Sequence, residues 1–198
     1  MSTILAAPLT ATRPRILEAA LEVFTRSGYH AATIQEIRAA SGASVGSIYH
    51  HFGGKEGLAA ALYLEGLRDY QRSFTDVLEG TGDAERMVRA IVSNHLRWVA
   101  EKPDMAGYLM SSREAEVARV TERELKAMNR EVIAVTREWI DREVRAGALR
   151  AMPTALYYAL LIGPAQEFAR QWVRNPDERT MGQARRQLPG AAWRAVRA

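Results

Sequence analysis

The chain has 198 residues, 47% of them apolar, enough to bury a substantial core as one large domain or two small ones. It has no cysteine, which excludes a disulfide framework and a thiolate metal site and leaves a reducing cytoplasm as the expected compartment. The net charge of +4 sits mostly in the tail: residues 1–60 carry five Lys/Arg against four Asp/Glu, residues 170–198 seven against two, so nucleic-acid binding near the N-terminus must rest on a motif.

Apolar residues recur with a period near 3.6 and strand-like alternation is absent, which predicts an all-α fold. The first residues show no signal-peptide pattern, and the longest apolar run, residues 155–165, is shorter than the roughly 20 needed to span a bilayer, so no membrane partner is expected. After an arm of residues 1–12, a first helix is predicted over residues 14–27, with Ile16, Leu17, Ala20, Leu21, Val23 and Phe24 inward and Gly28 as its stop. In "TIQEIRAA", Thr33 with Glu36 three residues on forms a capping box. Gly42 then permits a tight turn, and Ser44 caps a short helix whose apolar edge is Val45, Ile48 and Phe52. Gly53-Gly54 ends it, and a long helix starts at Lys55 and continues to "EGTGD".

Beyond Gly82 the segments lengthen: helices are predicted over residues 83–102, 103–112, 121–146 and 154–174, the last kinked at Gly163-Pro164. A basic amphipathic helix over residues 178–196 is expected to kink or split at Pro189-Gly190.

Two short helices around Gly42 have the spacing of a helix-turn-helix. The second suits a major groove because Ser44, Gly46, Ser47 and His50 give it a slim, polar outer face. At the following helix start, free backbone N–H groups, the helix dipole and the Lys55 ammonium all favour an anion, and Thr33 stands at a similar start.

The stretch "TRPRILEAALEVFTRSGYHAATIQEIRAASGASVGSIYHHFGGKEGL", residues 12–58, resembles the DNA-binding domain of TetR/AcrR-type transcriptional regulators. The resemblance implies a three-helix DNA-binding domain over residues 13–58, joined by the long helix to a ligand-binding and dimerisation domain over residues 59–198. It implies a homodimer whose last long helices pair, a palindromic double-stranded operator, and a small-molecule effector that releases a repressor. By position, Thr33, Tyr49 and Lys55 would hold phosphates and His50 or His51 would add a phosphate or structural contact. Gln35, Ser44, Val45, Gly46 and Ser47 would face base edges. One departure is Gly54, where many relatives place a capping side chain.

The plainer readings run alongside. His51 beside Phe52 also reads as a packed residue, and adjacent His50 and His51 point apart on a helix, so no metal is expected there. His95 lies on an apolar row and reads first as a core histidine. Trp98, Tyr108, Met110, Trp139 and Tyr157 read as core too, with a subset of these and His95 as candidates to line a ligand cavity. The sequence offers no nucleophile elbow, metal-ligand pair, phosphate loop or acid/base pair, so neither an enzyme nor a cofactor is expected. The alternative is a helical scaffold or membrane-surface protein that uses the basic C-terminal tail.

Overall fold

A computed structural model describes residues 9–80, 82–111 and 115–198, and the regular elements among them are α-helices. The N-terminal part contains α1 (Leu9–Ala31), α2 (Ile34–Ser41) and α3 (Val45–Phe52), followed by the long α4 (Lys55–Leu78). Then come α5 (Ala84–Glu101), α6 (Pro103–Met110), α7 (Ala115–Arg145), α8 (Thr154–Leu161), α9 (Gly163–Trp172) and α10 (Glu178–Val196). Helix α1 starts earlier than its apolar pattern predicted, at Leu9, so the expected arm is helical from there; its residues 1–8 lie outside the described ones. It is interrupted at Gly28, whose φ of 76° breaks the helical geometry near the predicted stop.

Two apolar clusters organise these helices. The first gathers Ile16, Ala20, Val23, Ile37, Ile48 and Leu58, so α1, α2, α3 and the first turns of α4 share one core. The second gathers Val88, Ile91, Leu96, Ala169, Met181 and Val196 from α5, α9 and α10, with Trp139 of α7 and Tyr157 of α8. Helix α4 serves both, giving Leu58 and Leu62 to the first and Phe74 to the second. Residue 58 is no gap in the contacts: Val117 of α7 belongs to the first core, and the Tyr108 hydroxyl of α6 donates to the Ala59 carbonyl at 3.0 Å.

The proline signals had different outcomes. Gly163-Pro164 separates α8 from α9, whereas α10 continues through Pro189 and Gly190. Proline removes a helical hydrogen bond, but Met181, Ala184, Ala192 and Val196 are buried on both sides of it, and this packing holds the helix together. No helix among the described residues is long and apolar enough to cross a membrane.

Candidate functional site

The turn–helix unit is built from local bonds that its residue types dictate. Thr33 caps α2: its Oγ1 accepts from the Glu36 N–H at 3.2 Å while the Glu36 carboxylate accepts from the Thr33 N–H at 2.8 Å. The bonds from Thr33 hold the Glu36 carboxyl below its ordinary pKa. Gly42 then adopts φ 65°, returns its N–H to the Arg38 carbonyl, and lets the chain turn without steric cost. The Arg15 guanidinium of α1 donates to the Ser41 carbonyl at 2.7 Å and locks the end of α2 in place. Ser44 caps α3 by accepting from the Ser47 N–H at 3.0 Å, and Gly53 closes that helix with φ 72°.

These constraints aim α3. Ile48 is fully buried, and Val45, Ser47 and Phe52 are half-buried, while Ser44, Gly46, Tyr49 and His50 are exposed. The open face is slim and polar, as a helix entering a groove requires. Tyr49 is 53% exposed, an unusual position for a large aromatic without an external partner. Thr33 and Gln35 are exposed on α2, although Gln35 accepts a bond from Arg38 at 3.0 Å. His51 is half-buried with Nε2 unpartnered, and its ring lies 5.3 Å from that of His50. Gly54 gives α4 no side-chain cap, leaving the first N–H groups of that helix open.

Lys55 is held within the N-terminal helices. Its ammonium donates to the carbonyls of Tyr29 at 2.9 Å, His30 at 3.1 Å and Ala32 at 3.0 Å, and lies 4.7 Å from the Tyr29 ring centroid. All three protons are engaged at the end of α1, so in this structure Lys55 pins α4 to α1. Gly57 was missed in the sequence: a Cβ there would stand 1.9 Å from the Phe52 carbonyl oxygen, so α4 can only leave α3 at this angle with glycine in that position.

A second site lies in the C-terminal part. Tyr63, Leu67, Tyr70, His95, Trp98, Ala106, Leu109, Met110 and Gln166 line a cavity of about 260 Å³. His95, Trp98 and Met110 of the predicted set meet there, and Tyr70, Leu67 and Gln166 join them. Three of the predicted residues lie elsewhere. Tyr108 stacks 6.0 Å from Phe24 in the first core, Trp139 is packed in the second, and the Tyr157 hydroxyl is turned to the Arg150 carbonyl. Their helical spacing placed them on inward faces, but only tertiary packing decides which inward face meets a void. Leu67 and Tyr70 carried a faint signal in the sequence as members of the apolar row of α4.

His95 is 2% exposed, and its Nδ1 lies 2.9 Å from the Tyr70 hydroxyl. Its Nε2 is buried without a hydrogen-bond partner. Burial drives the His95 pKa down to about 4; the Ala165 backbone acts in the opposite direction without closing a hydrogen bond on Nε2 by geometry. Burial likewise pushes the Tyr70 phenol well above its ordinary value. Trp98, 5.1 Å from the Tyr70 ring, donates from Nε1 to Asp69 at 2.8 Å, and Lys102 also bonds that carboxylate. Burial alone would raise the Asp69 pKa, but the bonds from Lys102 and Trp98 keep it below the ordinary value. Asp69 and Lys102 line a groove that reaches Pro14, Leu17 and Leu21 of α1, so one tryptophan connects the cavity wall to the N-terminal helices.

The structure thus combines a capped turn presenting an open polar helix with a helical body that holds a partly open cavity. Residues 16–62 match the family described as "Bacterial regulatory proteins, tetR family". The chain is 39% identical over 82 residues to the HTH-type transcriptional regulator UidR of Escherichia coli (strain K12), a match covering 41% of this chain and 42% of that regulator. The matched stretch thus spans less than half the length of this relative. Among solved structures, the TetR family regulator PfmR from Thermus thermophilus superposes with a TM-score of 0.70 at 26% identity, covering 91% of this chain and 97% of that one. FadR from Bacillus subtilis, solved in complex with stearoyl-CoA, gives 0.73 at 18% identity over 90% and 96%. The chain therefore has the fold of tetR-family regulators along most of its length.

Proposed function

We propose that this chain is a cytoplasmic DNA-binding transcriptional regulator, a homodimer that represses from a palindromic operator and is released by a small-molecule effector. The observation that carries this reading is the exposed polar face of α3, held by two caps and a glycine turn within a stretch that matches tetR-family regulators. Residues 13–58 serve as the reading head and residues 59–198 as the sensing and pairing part. Ser44, Val45, Gly46 and Ser47, with Gln35, face base edges. Tyr49, Thr33, His50, His51 and the open N–H groups of α4 face the sugar-phosphate backbone. Lys55 supports them by fixing α4 against α1. Pairing through α8, α9 and α10 is supported by exposed Ala155, Leu156, Ala159 and Pro164, Leu156 being 49% exposed.

Release follows from unequal affinity of an effector for two arrangements of the dimer, since a ligand shifts an equilibrium only by that difference. The connection from Trp98 through Asp69 to the groove beside α1 is the mechanical route. Fluorescence-anisotropy titration of the purified protein against genomic fragments tests the reading. We expect a preferred palindromic site whose affinity falls steeply as salt rises. Equal binding to all fragments at moderate salt refutes it.

A further inference from the structure

We propose that the cavity beside His95 takes a small, neutral, largely aromatic molecule carrying one hydrogen-bond acceptor, and that His95 Nε2–H is the donor that recognises it. This rests on the regulator reading only for its consequence, release of DNA; the binding itself stands on the cavity.

Three observations carry it. The first is volume. A cavity of about 150 Å³ accommodates benzene, so the present cavity of about 260 Å³ has room for a ring with a short substituent, roughly ten non-hydrogen atoms.

The second is charge. The nine lining residues include no Asp, Glu, Lys or Arg, so an ionised ligand would be desolvated with no counter-charge in the wall. His95 does not supply one, because its burial keeps the ring neutral near pH 7. The tyrosine, tryptophan and leucine surfaces of the wall suit an aromatic body.

The third is an unanswered donor. Between Tyr70 and His95 there are two proton arrangements. If Tyr70 donates to Nδ1, the phenolic proton is satisfied and only Nε2–H is left over. If Nδ1–H donates to the phenol oxygen, both the phenolic proton and the Nε2 lone pair are left over. The first strands fewer buried groups and is favoured, so what His95 offers is an N–H. Gln166, whose side chain has no hydrogen bond among the described residues, is a second polar group on the wall.

Calorimetric titration of the full-length protein with acetophenone, ethylbenzene and benzoate, without DNA, tests this. Acetophenone is expected to bind about tenfold or more tighter than ethylbenzene, which lacks the acceptor, and tighter than benzoate, which carries charge. His95→Phe should erase the preference over ethylbenzene while retaining ethylbenzene binding. Leu109→Trp, which fills the cavity from α6, should abolish both. The inference is overturned by benzoate binding best, by an acetophenone preference that survives His95→Phe, by probe binding that survives Leu109→Trp, or by no acetophenone binding up to its solubility. Failure of the regulator reading is separate: it appears in the DNA titration, whatever these probes do.

Discussion

The reading head and the cavity are made in opposite ways. In the head, the bonds that shape the turn and its reading helix are short in sequence: Thr33 with Glu36, Gly42 with Arg38, Ser44 with Ser47; only the bonds that dock α1, from Arg15 to Ser41 and from Lys55 to Tyr29, span 26 residues. In the cavity the defining bonds span long separations: Tyr70 reaches His95 across 25 residues, and Trp98 reaches Asp69 across 29. Local bonds depend on residue type and spacing, whereas long-range ones depend on how whole helices dock. The head can therefore be disabled one residue at a time without disturbing the cavity, and the cavity retuned without touching the head, except where α4 and the Trp98–Asp69 bond join them.

The sharpest way to break this separation is Gly46→Glu. A carboxylate on the exposed face of α3 should lower operator affinity about 1000-fold, roughly 4 kcal/mol, by repulsion and lost groove contact. Acetophenone affinity measured by calorimetry should stay unchanged. A comparable fall in both would show that the two regions are one cooperative site.

Next in size is a pH effect confined to the cavity. His95 titrates near 4 in the folded protein against 6.5 in its ordinary state, so the unfolded chain takes up the proton first. Its contribution is fully present above about pH 6.5 and is lost as pH falls toward 4, amounting to about 3 kcal/mol. Urea unfolding at pH 7 and pH 4 should show this extra loss in the native sequence and not in His95→Phe. Equal losses would mean that the ring is protonated, or solvated, in the fold.

Lys55→Met comes third and tests what the Lys55 ammonium holds. With the ammonium gone, three carbonyls lose their donor, and stability measured by urea should fall by about 2 kcal/mol. If the lysine instead held a phosphate, stability would be unchanged and only the salt dependence of DNA binding would flatten. The smallest effect belongs to Thr33→Ala, expected to cost about 1 kcal/mol in thermal unfolding through loss of the α2 cap. An α2 that frays without any change in DNA affinity would remove Thr33 from the backbone-facing set.

Much of the head was legible in the residues. The capping box at Thr33, the turn at Gly42, the cap at Ser44 and the stop at Gly53 are each set by chemistry within about four positions. The carbonyl contacts of Lys55 were not legible, because a lysine at a helix start is equally suited to an external anion and to the carbonyls ending another helix. Only the return of α1 beside α4 separates these. Gly57 was overlooked for a similar reason: the Phe52 carbonyl that excludes a side chain there belongs to the preceding helix, and the closeness follows from the angle between the two.

In the C-terminal part, periodicity placed His95, Trp98, Tyr108, Met110, Trp139 and Tyr157 on packed faces and could go no further. A helical period of about 3.6 residues reports that a side chain faces inward, but it carries no information about which partner helix lies opposite or whether their shapes leave a void. Composition and local spacing thus determined the helical class, the capped reading unit and the polar face of α3. Docking of α4 against α1, α3, α5 and α6 decided the rest: where Lys55 binds, why residue 57 is glycine, and which three predicted side chains meet Tyr70 around the cavity.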